Sequence, residues 1–120
     1  MENLIRVAVD AMGGDYAPTE AVKGAVAAVK EKENVEVLLV GKQEVIEKEL
    51  SACSYPRERI RVVNASQVIE TGDPPVAAIR GKKDSSIVVG MKMVKRQEAD
   101  AFVSAGSSGA ILVGGTTIVG

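Results

Sequence analysis

Short apolar runs alternate along the chain with segments whose apolar residues recur at helical spacing. The runs Ile5–Asp10, Val35–Val40, Ile60–Asn64 and Ala99–Val103 have the length of strands, and they are mostly apolar throughout. Such runs are typical of strands that are buried on both faces of a parallel sheet. Because strand and helix patterns alternate, the order predicts an α/β fold with a mainly parallel sheet and helices on both faces.

The first two connections between these runs each predict one helix. Thr19 is placed to cap the first helix, and Gln43–Ala52 forms the second. The residues expected to face the sheet are Val22, Ala25, Val26 and Val29 in the first helix, and Val45, Ile46 and Leu50 in the second.

The third connection, residues 65–98, is longer than one crossover helix requires. It contains the turn Gly72-Asp73-Pro74-Pro75, a short helical piece at Val76–Arg80 and a helix that begins at Asp84. The β-branched residues of this last helix leave a strand as the alternative. The apolar face of that last helix is expected to comprise Ile87, Met91 and Val94. Because long insertions in compact α/β domains are usually functional, this segment is a candidate part of a site.

The composition excludes several kinds of site. Histidine is absent and Cys53 is the only cysteine, which excludes histidine-based triads, zinc sites built from histidine or cysteine, and internal disulfides. Cys53 has no basic neighbour in sequence and is interpreted as a structural thiol. A lone thiol favours the reducing cytoplasm, and Met1-Glu2-Asn3 lacks the basic residues of a secretory leader.

The composition argues against nucleic-acid binding and against a membrane span. The formal net charge is -1, and Tyr16, Tyr55 and Phe102 are the only aromatic residues, so nucleic-acid binding is not expected. Residues 101–120 carry no charge, but their glycine, serine and threonine content suits a strand, turn and helix better than a membrane span.

Two glycine-containing loops follow predicted strands. One is Asp10-Ala11-Met12-Gly13-Gly14-Asp15, and the other is Ser104-Ala105-Gly106-Ser107-Ser108-Gly109, which opens a helix. Ligands of open α/β folds bind at the carboxyl edge of the sheet, and we expect the two loops to face each other there. A helix capped by Ser107 or Ser108 would direct free N–H groups at an oxyanion or a phosphate. For both loops, an ordinary turn or cap without a ligand is the alternative.

Basic residues are concentrated between positions 80 and 96, where Asp84 is the only acid. They are Arg80, Lys82, Lys83, Lys92, Lys95 and Arg96. One interpretation is a solvated face, and the other is an anion site at Lys82 and Lys83 with a docking face for an acidic partner. Asp10 and Asp15 have no companion carboxylates and are interpreted as hydrogen-bond acceptors that order their loop, so no metal site is predicted. The dinucleotide and Walker glycine motifs are missing, and no cofactor is predicted.

Three strings together resemble the PlsX family of bacterial phosphate acyltransferases. Asp10–Asp15 matches the opening string of that family, Lys82–Ser86 matches a second, and Ser104–Ala110 resembles a third. Val68-Ile69-Glu70 resembles a further string, so the resemblance covers essentially the whole chain in order.

The sequence departs from the family pattern at two places. Tyr16 stands where the family often has histidine, so a histidine role cannot be carried over to that position. Ser107 and Ser108 stand where the family has Asn-Thr, which keeps small polar groups at the helix start but changes the donors.

The resemblance implies a three-layer α/β/α fold like that of the isocitrate and isopropylmalate dehydrogenases. Residues 1–120 would be the N-terminal part of a single catalytic domain of that kind. It also implies transfer of a fatty acyl group from acyl carrier protein to inorganic phosphate, giving acyl phosphate for phospholipid synthesis. The enzyme would be a cytoplasmic homodimer, with room for peripheral association with a membrane acyltransferase at the inner face of the membrane. The alternatives are a short-chain phosphotransacetylase-like enzyme that uses coenzyme A, and a non-catalytic ligand-binding α/β regulator.

This chemistry needs neither a histidine base nor a covalent intermediate. Phosphate is a competent nucleophile near pH 7 and a thiolate is a good leaving group, so positioning and oxyanion stabilisation remain. The catalytic residues are predicted to be Asp10, Lys82 and Ser107. The residues predicted to bind phosphate or substrate are Gly13, Gly14, Asp15, Lys83, Ser85, Ser104, Gly106, Ser108 and Gly109.

Overall fold

The computed structural model describes residues 4–70 and 72–106, together with positions 110, 114, 115 and 118. Its sheet has four parallel strands in the order β3-β2-β1-β4. The strands are β1 (Ile5–Asp10), β2 (Val35–Gly41), β3 (Ile60–Asn64) and β4 (Ala101–Val103). The predicted α/β class with a parallel sheet is confirmed.

Helices cover both faces of this sheet. They are α1 (Thr19–Glu31), α2 (Gln43–Leu50), α3 (Pro75–Gly81) and α4 (Ser86–Lys95), and a 3-10 turn at Arg57–Arg59 precedes β3. The inner strand β2 shows the layering, because Val37 and Leu39 pack with α1 and α2 while Leu38 and Val40 pack with Met93 of α4. Successive side chains of a strand point to opposite faces, so the apolar run of β2 follows from its position between two layers.

The structure confirms most of the predicted elements. β1 and β3 have the predicted bounds, β2 ends one residue later than predicted, and the four residues predicted to face inward from α1 are its buried ones. The short helical piece in the third connection is α3. The helix predicted after it is α4, so the strand alternative there was wrong.

Several local details differ from the prediction, each for a visible reason. β4 begins at Ala101 rather than at Ala99, because the Ala99 N–H donates to Met93 O (3.2 Å) at the end of α4. Thr19 does not cap α1, because its hydroxyl donates to Glu49 Oε1 (2.9 Å). Val45 of α2 is 41% exposed, since Ile46 and Leu50 fill the inner face of that short helix.

The start of α4 also differs from the prediction. Asp84 lies outside the helix, since its carboxylate accepts hydrogen bonds from the backbone and side chain of Ser66. Ser85 caps α4 instead, with its side chain accepting from Val88 N (3.2 Å). Of the apolar face predicted for this helix, Ile87 and Met91 are buried, whereas Val94 is only partly buried.

In the described residues, no helix has both the length and the apolar character needed to cross a membrane.

Candidate active site

A buried aspartate joins three segments of the chain at the carboxyl edge of the sheet. Asp10, the last residue of β1, is 4% exposed. Its Oδ1 accepts from the Ser86 hydroxyl and from Met12 N (3.0 Å), and its Oδ2 accepts from the Ser104 hydroxyl (2.7 Å). The carboxylate therefore connects the loop after β1, the start of α4 and the segment after β4.

Ser104 extends this network into the second glycine loop. Its Oγ donates to Asp10 and also accepts from Gly106 N (2.9 Å). The Gly106 amide is thus used to order its own loop, which lies beside the loop after β1 because β4 is the neighbour of β1.

The two glycine loops approach each other backbone to backbone. A Cβ built on Gly13 would lie 2.7 Å from Gly106 N and 2.7 Å from Asp10 Oδ2, closer than any side chain could be accommodated. Gly14 has φ +87°, a conformation that favours glycine. The prediction that the two loops face each other at the carboxyl edge is confirmed.

A cleft of about 410 Å³ opens against these loops. It is lined by Met12, Gly13, Gly14, Asp15, Val68, Ile69, Glu70, Ala105 and Gly106. In the described part of the chain, the N–H groups of Gly13, Gly14 and Ala105 donate to no protein acceptor. Unpaired backbone donors beside glycines are the usual elements of an anion-binding concavity.

Lys82 supports the wall of the cleft that lies opposite the glycine loops. Its Nζ donates to Val68 O (2.7 Å) and to Asp73 Oδ2 (2.6 Å). Asp73 also accepts from Glu70 N (2.9 Å). The hydrogen bond from Lys82, followed by that from Glu70, lowers the pKa of Asp73 below its ordinary value. The ammonium group of Lys82 is therefore committed to the Val68–Glu70 segment.

The remaining predicted site residues lie in different places. Asp15 is exposed at the cleft, while Ser85 is buried and caps α4. Lys83 is exposed and lines a separate groove along α4. Ser107, Ser108 and Gly109 lie outside the described residues.

Sequence reasoning missed two parts of this site. Ser86, which was not among the predicted site residues, donates its hydroxyl hydrogen bond to Asp10. The Val68–Glu70 segment was noted only as a family string, although it forms the far wall of the cleft. Lys82 donates to Val68 O in this segment, a contact that the local sequence pattern does not reveal.

The fold and this edge define an α/β protein with a candidate ligand cleft at the carboxyl ends of parallel strands. A family model described as "Fatty acid synthesis protein" matches residues 5–120. The chain therefore belongs to the fatty acid synthesis protein family, and its predicted membership of the PlsX family is confirmed.

Curated relatives agree with this assignment. The chain is 51% identical over 116 residues to a phosphate acyltransferase of Alkaliphilus oremlandii, covering 97% of this chain and 34% of that protein. For a phosphate acyltransferase of Syntrophomonas wolfei the identity is 52%, with 97% and 36% covered. For one of Clostridium tetani it is 47%, with 97% and 35% covered. The chain spans about a third of the length of these relatives.

Proposed function

We propose that the complete protein transfers a fatty acyl group from acyl carrier protein to inorganic phosphate, giving acyl phosphate for phospholipid synthesis. A phosphate oxygen attacks the thioester carbonyl carbon, the carbon–sulfur bond breaks, and the carrier leaves as a thiolate that takes up a proton. Membership of the family and the naming of the relatives as phosphate acyltransferases support the proposal.

The observation that carries the proposal is the pair of glycine loops held together by Asp10. Gly13, Gly14 and Ala105, whose N–H groups have no protein acceptor among the described residues, line a cleft large enough for a phosphate beside a thioester carbonyl. Holding two reactants in line is worth up to ~7–11 kcal/mol, and one oxyanion donor about 3–4 kcal/mol. Backbone donors supply both effects without a histidine.

The side chains predicted to be catalytic take different roles in this proposal. Both carboxylate oxygens of Asp10 already accept hydrogen bonds, and Lys82 is paired with Asp73. We therefore assign both as positioning residues that order the two sides of the cleft. Ser107, Ser108 and Gly109 remain predicted contacts to phosphate or substrate.

The proposal includes the assembly that the family resemblance implies. The complete enzyme would be a cytoplasmic homodimer with the architecture of the isocitrate and isopropylmalate dehydrogenases. Peripheral association with a membrane acyltransferase would let the product pass on at the inner face of the membrane.

Phosphate-dependent release of free thiol from acyl carrier protein by the complete protein tests the function. We expect turnover with the carrier-bound acyl group and little with short-chain acyl-coenzyme A. Preference for short-chain acyl-coenzyme A would favour a phosphotransacetylase-like enzyme. Phosphate binding without turnover of either donor would favour a regulator.

A further inference from the structure

A groove of about 640 Å³ runs along α4 on the side of β3. It is lined by Arg6, Arg61, Val63, Lys83, Asp84, Val89, Lys92, Met93, Arg96, Gln97 and Glu98. Five of these side chains are cationic and two are carboxylates. The structure thus gathers only part of the basic stretch in the sequence, and adds to it two arginines from strands.

The groove exists because α4 leaves part of one sheet face uncovered. This helix packs on β1, β2 and β4, where Ala8 and Leu38 are fully buried. On β3, by contrast, Arg61 is exposed and Val63 is only partly buried. Val63, with Val89 and Met93 of α4, gives the groove an apolar floor between its charged walls.

Most of the cations in the groove are unpaired. In the described part of the chain, the ion pairs are Arg6–Asp100 and Lys82–Asp73, so Arg61, Lys83, Lys92 and Arg96 have no carboxylate partner. Asp84 is hydrogen-bonded by Ser66, which lowers the pKa of its carboxyl group and keeps it charged. A concave surface lined mainly by one sign of charge focuses its field on an oppositely charged partner.

One end of the groove lies at the carboxyl edge of the sheet, the edge that also carries the candidate active site. Lys83 lies just before α4, at the end where Ser86 binds Asp10, and Arg96 lies just after its last residue. A helix of 10 residues is about 15 Å long, so the charges extend well beyond the size of one phosphate ion. The lining contains no aromatic side chain on which a nucleic-acid base could stack.

We propose that this groove docks an acidic helix of the carrier protein that delivers the acyl group. Carboxylates along one face of such a helix would meet Arg61, Lys83, Lys92 and Arg96, and its apolar residues would meet the floor. The proposal rests on the proposed function, because that function supplies an acidic carrier. It places one end of the docked helix at the carboxyl edge of the sheet, the edge that carries the glycine loops.

Two double variants of the complete protein test the groove. The groove variant carries Arg61→Glu and Lys92→Glu. The control variant carries Arg80→Glu and Lys95→Glu, two exposed residues outside the groove lining, with the same change in net charge. Binding of acyl-free carrier protein is measured by titration calorimetry at low and high salt, together with the KM for the acylated carrier and for phosphate.

We expect the groove variant to bind the acyl-free carrier more weakly than the wild type. At low salt, its KM for the acylated carrier should rise about tenfold, because electrostatic steering by the charged groove is lost. The KM for phosphate should not change, and the control should stay within about twofold of the wild type. Equal effects of both variants, or no effect of the groove variant, would overturn the proposal.

Two further readings separate the possible failures. A lower Tm in the groove variant alone would show that another part of the protein or a second copy covers the groove, and would overturn the docking proposal. If the wild type binds the carrier but transfers no acyl group, the proposed function fails. In that case, the calorimetric comparison of the two variants still shows whether the carrier docks in the groove.

Discussion

Asp10 gathers donors from three parts of the chain around one buried carboxylate. The Ser86 and Ser104 hydroxyls lie 76 and 94 residues away from it in the sequence, whereas Met12 N lies two residues away. Beside it, Gly13 lies where any side chain would meet the backbone of Gly106. The site therefore depends on one carboxylate that accepts hydrogen bonds and on one position without a side chain.

Asp10→Asn should disrupt this network. If the remaining oxygen keeps Met12 N, the new amide group faces Ser104 Oγ, whose own O–H then loses its acceptor. An unsatisfied buried group costs about 1–3 kcal/mol, and displaced loops should lower kcat/KM about tenfold to a hundredfold. Urea unfolding and initial-rate kinetics measure the two effects.

The matched control for unfolding is Asp15→Asn, an exposed change in the same loop that should alter the unfolding free energy by less than about 0.5 kcal/mol. Equal unfolding free energies for the two variants would contradict the role given to Asp10.

Gly13→Ala should destabilise the protein, whereas Gly24→Ala should not. The Cβ at Gly13 would lie 2.7 Å from Gly106 N, and forced backbone shifts cost about 1–3 kcal/mol. The Cβ at Gly24, inside α1, meets no atom within 4 Å, and alanine is favoured there by about 1 kcal/mol. Thermal melts of both variants measure the difference, and a Gly13→Ala variant as stable as Gly24→Ala would refute the close approach of the loops.

At the scale of elements, the Val68–Glu70 stretch between β3 and α3 forms one wall of the cleft. α3 follows this stretch in the chain. Lys82, at the end of α3, donates to Val68 O and to Asp73 Oδ2, and so links the stretch to the turn before α3. Lys82 lies at the end of α3 and does not line the cleft, so we expect its ammonium group to affect the site by positioning the Val68–Glu70 stretch.

Asp73→Asn should make the protein less sensitive to acid. The folded-state pKa of Asp73 is lowered from 3.8, so its stabilising contribution is present above pH 3.8 and is lost as the pH falls through the lowered value. The stability difference between wild type and Asp73→Asn should therefore be constant at neutral pH and shrink below pH 3.8. Thermal melts across this range measure it, and a difference independent of pH would argue against the pairing.

Local periodicity was sufficient to predict β1, β3 and the buried face of α1, because each depends on spacing within one segment. It failed at the start of α4 and at Thr19, where the side chains of Asp84 and Thr19 bond partners that lie far away in the sequence. The facing glycine loops could be predicted because parallel strands end at one edge. The contacts of Lys82 and the gathering of Arg61 with Lys92 could not, because they depend on how the third connection crosses the sheet.

At the scale of the whole molecule, the sheet is a middle layer whose inner strand β2 is apolar on both faces. Leu38 and Leu39 of β2 are fully buried, although they point to opposite faces. The protein thus has core on both sides of one strand.

Leu38→Ala and Leu39→Ala should each lower the unfolding free energy by about 2–5 kcal/mol. Val45→Ala, at a position 41% exposed, is the control and should cost much less. Chemical denaturation of the three variants measures the effects. A small loss for either leucine would mean that the face it points to is not closed by helices.

The strand order also sets when the site can form during synthesis. β1 is made first, but it lies between β2 and β4, and β4 is the last strand of the described sheet to leave the ribosome. Until Ala101–Val103 emerge, one edge of β1 is open and Asp10 lacks the Ser104 hydroxyl. Pairings between distant segments form slowly, so a nascent chain paused before residue 101 exposes an apolar strand edge to chaperones or to aggregation.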